Sequence, residues 1–348
     1  MTTAVTIYGA GAIGGITGAA LARAGHDVLL VDSYVPHVEA INASGLTVER
    51  DGSETTTPMR AVTPASLGGA LDLVMLAVKS HHTAAALQDL APRLAAGGTI
   101  VSLQNGLSEE QIAEAVGAAR TVGCLVNWAA DWMGPGRILH GGHGAFVLGE
   151  LDGRITPRVQ ALATLLSAVE PTAVTDNIWG YKWAKLVYAS LLFATALVDA
   201  HVYDVVERGE GIQRALVGIV GEGLAVADKA GIRIDPFDEF DPAWYRAALA
   251  GDDGARVRAM AAIAAHYRAS TKTKTGIWRD LAVRKRKTEV DGQLGMLTRK
   301  GESVGVAMPL TRRLTELILD IEEGRRPTDW ANLAPLVALA AGGRGASR

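Results

Sequence analysis

Gly9-Ala10-Gly11-Ala12-Ile13-Gly14 directly follows the short apolar run Ala4-Val5-Thr6-Ile7-Tyr8, and these two segments decide the fold. The run is rich in β-branched residues and carries no charge, which is typical of a buried parallel strand. The small and apolar residues 13–24 after the turn predict a helix packed closely on a sheet. A second apolar strand is predicted over residues 27–31, closing on Asp32.

The glycines of this turn have distinct structural roles. Gly9 permits the tight turn, Gly11 lets a pyrophosphate approach the backbone, and Gly14 lets the helix lie close to the strand. The helix N-terminus offers N–H groups and partial positive charge to phosphates. Asp32 stands where a carboxylate accepts hydrogen bonds from both hydroxyls of a ribose. This unit predicts a dinucleotide site, with a purely structural glycine-rich turn as the alternative. The predicted binding residues of the unit are Gly9, Gly11, Ala12, Ile13, Gly14 and Asp32.

Length and composition indicate two domains with a sizeable core. The chain has 348 residues, of which 49% are hydrophobic. Its formal net charge of -3 implies no broad electropositive field, so nucleic acid is not an expected partner. The most apolar run, residues 186–198, is too short to span a bilayer, and no basic leader precedes the first strand. A cytoplasmic protein without a membrane partner is expected, with Cys124 as a buried thiol.

Apolar strand patterns and helical patterns alternate along the first half of the chain. This alternation predicts an α/β protein that begins with a Rossmann domain, a doubly wound parallel sheet. Ligands gather at the carboxyl ends of such strands, where Lys79 and Asn105 fall. The predicted elements are strands over residues 71–78 and 99–103, a helix over residues 83–94 that Gly97-Gly98 ends, and a helix that opens at Ser108.

The pattern changes in the second half. Short, partly antiparallel strands over residues 120–151 are expected to close the sheet. From Asn177 onward strand patterns stop, which predicts an all-helical second domain whose apolar repeats form its core and the surface of a homodimer. The predicted divisions are a dinucleotide-binding domain at residues 1–176, a helical substrate and dimerisation domain at residues 177–340, and a flexible tail at residues 341–348.

Short motifs occur in a fixed order along the chain, and together they are quite specific. They are the glycine turn, Val78-Lys79-Ser80, Gln104-Asn105-Gly106, Pro135-Gly136 with His140, Trp183-Ala184-Lys185-Leu186 and Thr288-Glu289-Val290-Asp291. In this order the sequence resembles the ketopantoate reductase family (2-dehydropantoate 2-reductases) over almost its full length. The resemblance implies a Rossmann domain, a helical domain, an active site in the cleft between them, and hydride transfer from a reduced nicotinamide to a 2-keto acid.

The resemblance also implies roles for four polar residues. Lys79 and Asn105 position the nicotinamide end of the cofactor, and Lys185 is the general acid or base. Glu289 contacts the cofactor ribose and orders the closed cleft. The reaction independently requires a group such as Lys185. Hydride transfer leaves negative charge on an oxygen, and an ammonium group can stabilise and protonate that oxygen.

Each of these residues also has a plainer interpretation. Lys79 fits a solvated sheet edge, and Asn105 with Gly106 fits an ordinary turn. Lys182, three residues before Lys185, is a second candidate for the acid, although it fits the family spacing less well. Glu289 follows a basic run and could simply pair with Lys285 or Arg286.

The substrate positions depart from the family pattern. Ala189 and Phe193 stand where the family carries asparagines, and Gly276 stands where it carries a serine. The stretch between Asp280 and Thr288 is also one residue longer than the family pattern. A pocket with Ala189, Phe193, Gly276 and Trp278 suits a more apolar or aromatic keto or hydroxy acid than ketopantoate.

The residues after the second predicted strand bear on the choice of cofactor. Asp32-Ser33-Tyr34 contains no arginine to meet a 2′-phosphate, and a carboxylate repels that group. The expected cofactor is therefore NAD(H), with NADP(H) as the alternative.

Other functions stay open at this point. One is ketopantoate reductase proper, which uses NADPH. An opine-type or 3-hydroxyacid dehydrogenase would use a histidine base, and a non-catalytic dinucleotide sensor would show no turnover. No metal site is expected, because His81-His82 and His140 with His143 lack the carboxylate or cysteine partners of one. The basic run of residues 284–287 predicts a solvated helix face, with a contact from Arg284 or Arg286 to a substrate carboxylate or a phosphate as the alternative.

Overall fold

The computed structural model describes residues 2–270 and 272–342, and the chain divides into two units, Met1–Ile178 and Trp179–Arg348. This division falls inside a helix, two residues after the predicted boundary at residue 176. Each unit is described by itself.

The first unit contains twelve strands and five α-helices within the described residues. Its strands are β1 (Ala4–Tyr8), β2 (Asp27–Val31), β3 (Leu46–Arg50), β4 (Ser53–Thr57), β5 (Arg60–Val62), β6 (Leu71–Leu76), β7 (Leu94–Ser102), β8 (Thr121–Asn127), β9 (Ala130–Gly134), β10 (Arg137–His140), β11 (Ala145–Glu150) and β12 (Thr172–Val174). Its helices are α1 (Ala12–Arg23), α2 (Val35–Ser44), α3 (Thr83–Leu90), α4 (Ser108–Val116) and α5 (Pro157–Leu166).

Eight of these strands form the main sheet, in the order β12-β11-β8-β7-β6-β1-β2-β5. The strands from β8 to β5 in this order are parallel to one another, whereas β11 runs antiparallel to β8. The chain passes from β1 to β2 on one side and later returns to β6 on the other side, so the strand order reverses at β1. The predicted doubly wound Rossmann sheet is confirmed, and ligands bind such sheets at this reversal.

A second sheet of four strands, in the order β4-β3-β10-β9, corrects the prediction for residues 120–151. Only β8 and β11 of that segment join the main sheet, because β10 instead pairs with β3, with Ile138 beside Val48. Helix α1 lies under this second sheet, since a Cβ on Gly15 would stand 2.3 Å from Ile138 Cδ1. Both faces of α1 are therefore covered, which explains why its residues are small.

The segment before Thr99 also differs from the prediction. Helix α3 ends at Leu90, and Gly97-Gly98 lies inside β7 instead of ending a helix. The pairing of β6 with β7 is irregular there, and a Cβ on Gly98 would stand 2.6 Å from Leu71 O. The absence of a side chain at Gly98 thus allows β6 and β7 to approach each other closely. Cys124 is a fully buried thiol on β8, as predicted.

The second unit is helical within the described residues, apart from a single β-bridge between Phe237 and Phe240. Nine α-helices occur among the residues described in this unit, and the first of them begins one residue before the unit boundary. Residues 343–348 of the predicted tail lie outside the described residues, whereas Ala341 and Gly342 complete the last helix. The helices are α6 (Ile178–Thr195), α7 (Val202–Val206), α8 (Glu210–Lys229), α9 (Pro242–Leu249), α10 (Asp253–Ala269), α11 (Gly276–Trp278), α12 (Met296–Ser303), α13 (Pro309–Glu322) and α14 (Ala334–Gly342).

The basic run of residues 284–287 does not form the predicted helix face. It lies in a loop between two π-helical segments, Arg279–Val283 and Asp291–Gly295. Buried Asp280 accepts hydrogen bonds from Arg284 Nη1 at 3.1 Å and Arg286 Nε at 2.9 Å. The loop therefore folds onto a carboxylate of its own unit.

None of the helices in the part of the chain described here has both the length and the apolar character needed to cross a membrane.

Candidate functional site

The glycine turn lies between the end of β1 and the start of α1, at the reversal of strand order. Gly9 has a φ of 103°, and a Cβ there would stand 2.7 Å from Val78 N. A Cβ on Gly14 would stand 2.0 Å from Gly9 O. At Gly11, by contrast, a Cβ would meet nothing within 4 Å. The turn is therefore closed around Gly9 and Gly14 and open at Gly11, where Ala12 and Ile13 begin the helix.

Asp32 follows β2 and is half-buried beside the same turn. Its Oδ2 accepts a hydrogen bond from Ala10 N at 2.9 Å, and its Oδ1 accepts one from Tyr34 N at 2.9 Å. Each carboxylate oxygen has a second lone-pair site, so the group keeps capacity for further donors such as hydroxyls. Because two backbone groups hold the carboxylate, its position is set by the fold.

Lys79 and Asn105 are exposed at the carboxyl ends of neighbouring strands β6 and β7. Buried Gln104 joins the two loops, since its Nε2 donates to Val78 O at 2.8 Å and to Thr83 Oγ1 at 2.8 Å. In the sequence, Gln104 stands out only as part of the motif Gln104-Asn105-Gly106. The signal for its role is an amide side chain directly after a buried strand, which needs partners.

The motif residue His140 belongs to a buried polar cluster. His140 Nε2 lies 3.1 Å from Glu170 Oε1, and Arg50 Nη2 donates to the same oxygen at 2.9 Å. The His140 ring stacks on Trp128 at 5.1 Å. Burial and then the nearby Arg50 lower the pKa of His140. Within the described residues, no group of three or more His, Cys, Asp or Glu side chains has an arrangement that could hold a metal ion.

His37 lies outside the sequence motifs described above. It lies in the first turn of α2 and is 1% exposed. Its Nε2 lies 2.8 Å from Ala10 O, and Gly136 N donates to its Nδ1 at 2.9 Å. His37 thus contacts both the glycine turn and the loop between β9 and β10.

In the second unit, α6 carries the predicted acid and two predicted pocket residues. Lys185 and Ala189 are both half-buried, and their spacing of four places them on one helix face. Lys182, the other candidate acid, is only 3% exposed, and Phe193 is fully buried. The difference in exposure favours Lys185 over Lys182 as a group that meets a ligand.

Gly276 and Trp278 form the short helix α11. The Oγ1 atom of Thr275 caps this helix by accepting a hydrogen bond from Trp278 N at 3.1 Å. A Cβ on Gly276 would meet nothing within 4 Å, so a serine there would fit sterically. Trp278 is half-buried, and Lys274 Nζ lies 3.9 Å above its ring.

Glu289 is half-buried, two residues before the second π-helical segment begins at Asp291. The preceding Thr288 is anchored to α13, because its N–H donates to Glu322 Oε1 at 2.7 Å. Gln293 N donates to the backbone oxygen of Glu289 at 3.0 Å. The backbone on both sides of Glu289 is thus held in place.

The doubly wound sheet, the glycine turn at its reversal and the carboxylate after β2 define a Rossmann-type α/β protein with a helical second unit. The models of the ketopantoate reductase PanE/ApbA family match residues 5–153 with the N-terminal domain and residues 177–322 with the C-terminal domain. The chain belongs to the ketopantoate reductase family and is an oxidoreductase.

One relative and two solved structures illustrate what this chain is similar to. The chain is 33% identical over 253 residues to a 2-dehydropantoate 2-reductase of Mesorhizobium japonicum, covering 66% of this chain and 77% of the relative. A PanE/ApbA family ketopantoate reductase from Ralstonia eutropha has a TM-score of 0.78 at 29% identity, covering 93% of this chain and 99% of the other. The ternary structure of D-mandelate dehydrogenase with NADH and anilino(oxo)acetate also has a TM-score of 0.78, at 24% identity, covering 92% and 99%.

Proposed function

We propose that this protein transfers hydride between a nicotinamide dinucleotide, NAD(H) in preference to NADP(H), and a 2-keto or 2-hydroxy acid or a related carbonyl or alcohol. The observation that carries the proposal is the glycine turn, open at Gly11 and flanked by the held carboxylate of Asp32. An open helix N-terminus suits a pyrophosphate, and a carboxylate after the second strand suits ribose hydroxyls. A cytoplasmic homodimer is proposed as the form in which it works.

The catalytic group in this proposal is Lys185. When bound, the nicotinamide supplies or accepts the hydride. Lys185 donates a proton to the carbonyl oxygen in reduction and accepts it back in oxidation, and its ammonium stabilises the charge that develops there. Its half-buried position on α6 supports this role. Lys79 and Asn105 position the nicotinamide end, and Glu289 holds the ribose.

The preference for NAD(H) rests on charge. Asp32 is fixed by Ala10 and Tyr34, and Tyr34 stands next to it with 49% of its surface exposed. No lysine occurs in the sequence before Lys79, and no arginine lies between Arg23 and Arg50. A 2′-phosphate beside Asp32 would therefore meet a carboxylate without a cation near it in sequence. The D-mandelate dehydrogenase structure, which has a similar fold, is named as a complex with NADH.

The proposed substrate has a larger apolar or aromatic group than ketopantoate. Ala189 and Gly276 offer no side-chain hydrogen bond, and the half-buried Trp278 adds aromatic surface. A compound named anilino(oxo)acetate, an aromatic oxo acid, accompanies D-mandelate dehydrogenase in its ternary structure. Ketopantoate itself is the second candidate, because the curated relatives are named 2-dehydropantoate 2-reductases.

A substrate panel tests the proposal directly. We expect kcat/KM with NADH to be at least about 10-fold higher for aromatic or branched 2-keto acids than for ketopantoate, because an apolar pocket leaves the ketopantoate hydroxyl without a partner. Steady-state assays of 2-keto and 2-hydroxy acids with both cofactors provide the measurement. Ordinary efficiency with ketopantoate would overturn the substrate assignment. Dinucleotide binding without turnover of any acid would favour a sensor.

Restoring the family's polar residues gives a second prediction. The double variant Ala189→Asn, Gly276→Ser is expected to raise kcat/KM for ketopantoate by about 30-fold, since each of the two new hydrogen bonds contributes about 1 kcal/mol. The matched control is Ala189→Leu, Gly276→Ala, which adds similar bulk without hydrogen-bonding groups. An equal gain in both double variants, or a gain in neither, contradicts the assignment of these positions to the substrate.

A further inference from the structure

The hydrogen bonds of His37 define its protonation state. Gly136 N is a donor, so Nδ1 of the ring accepts and carries no hydrogen. Ala10 O is an acceptor, so Nε2 must carry the hydrogen and donate. A doubly protonated ring would place its Nδ1–H against the N–H of Gly136. These two hydrogen bonds assign the Nε2–H tautomer to the buried ring.

This arrangement holds Ala10, the residue between the first two glycines of the turn, from both sides. Its N–H donates to Asp32 Oδ2 at 2.9 Å, and its carbonyl accepts from His37 Nε2 at 2.8 Å. In a planar trans peptide the carbonyl and the following N–H point in opposite directions. A fixed Ala10 carbonyl thus directs the N–H of Gly11 away from His37. Gly11 is the position where the turn is open.

The same ring connects the turn to the second sheet. Gly136 lies between β9 and β10, with a φ of 72°, and its N–H reaches His37 across 99 residues of sequence. Trp132 on β9 contacts the His37 ring edge-on at 6.3 Å. Three segments that are distant in the sequence therefore meet at one imidazole.

We propose that His37 is a positioning residue of the dinucleotide site: its Nε2–H holds the Ala10 carbonyl and thereby aims the Gly11 N–H at the cofactor phosphates. The inference rests on the proposed function to the extent that the turn binds a dinucleotide. His37 itself touches no cofactor atom in this proposal. Its effect is on cofactor affinity and not on the chemical step.

Two conservative variants separate the two hydrogen bonds. The amide of His37→Gln reaches the place of Nε2 and keeps a donor for Ala10 O. The amide of His37→Asn reaches only the place of Nδ1 and keeps an acceptor for Gly136 N. His37→Leu removes both bonds. Each variant is measured for the Kd of NADH and NADPH, for the cofactor KM and kcat, and for Tm.

We expect His37→Asn and His37→Leu to raise the Kd and KM of the cofactor by about 10-fold, and His37→Gln to stay within about 3-fold of the parent, as expected for one hydrogen bond. The kcat at saturating cofactor should stay unchanged in all three. Nitrogen-15 chemical shifts of the ring should identify Nε2 as the protonated atom.

Three results would overturn the inference. The first is a lower Tm with Kd and KM unchanged, which marks a purely structural residue. The second is equal weakening in His37→Gln and His37→Asn, a comparison that remains available if His37→Leu does not fold. The third is a protonated Nδ1. A parent protein that turns over no acid but binds a dinucleotide refutes the proposed reaction alone, and a preference for NADPH refutes the cofactor choice alone. Binding of neither dinucleotide refutes both proposals.

Discussion

Replacement of Lys185 by alanine is expected to lower kcat by about 100- to 10,000-fold, the usual cost of losing a general acid. The Kd of the cofactor should change little, because Lys185 meets the substrate oxygen and not the dinucleotide. Steady-state kinetics in the reductive direction, with Kd from nicotinamide fluorescence, measures both quantities. Added primary amines are expected to restore part of the lost rate, since they return the missing proton donor.

The neighbouring lysine provides the control for this experiment. Lys182→Met replaces a nearly buried ammonium on the same helix with an apolar side chain of similar length. This variant is expected to affect Tm more than kcat. A large loss of kcat in Lys182→Met with near-normal turnover in Lys185→Ala would transfer the acid role to Lys182. The proposed assignment would then be wrong.

The second large effect is expected at Asp32. The parent protein should prefer NADH to NADPH by about 100-fold in kcat/KM, because two like charges about 5 Å apart repel by about 3 kcal/mol at an effective dielectric constant of about 20. Asp32→Asn removes the charge and keeps an oxygen that can accept from Ala10 N. It should lower the efficiency with NADH and raise that with NADPH, so that the preference nearly disappears.

Asp27→Asn is the matched control for Asp32→Asn. Asp27 is exposed at the opposite end of β2, beside Ala4. Its replacement by asparagine changes the net charge by the same amount as Asp32→Asn. It should leave the ratio of kcat/KM values for the two cofactors unchanged. A parent protein that favours NADPH, or an equal shift of the ratio in both variants, contradicts the proposed role of Asp32.

Much of the first unit was predictable because its signals are local. The β1–turn–α1–β2 unit occupies consecutive residues. Its glycines are required by close contacts within that unit, such as the contact of Gly14 with Gly9 O. The family match likewise follows from short motifs in order. These patterns predict the Rossmann sheet and the place of Lys79 and Asn105, although the roles of the site residues stay predictions.

The errors arose where distant segments decide the structure. The pairing of β10 with β3 joins residues about ninety positions apart and formed a second sheet instead of closing the first. Gly97-Gly98 was predicted to end a helix, but the pair lies in a strand, where the absence of a Cβ lets Gly98 approach Leu71 O. The basic run of residues 284–287 is a different case, because its error is local. It was predicted as a helix face, but it forms a loop in which Arg284 and Arg286 donate to buried Asp280, four and six residues earlier.

The sequence by itself determined the Rossmann core, the family and the chemical types of the site residues, because hydrophobic periodicity and turn glycines act over a few consecutive residues. Only the tertiary structure decided which groups support the dinucleotide turn. His37, Ala10 and Gly136 come together through hydrogen bonds across 27 and 99 residues of sequence. A buried imidazole has to satisfy both ring nitrogens, and the identity of its partners depends on packing that no local pattern records.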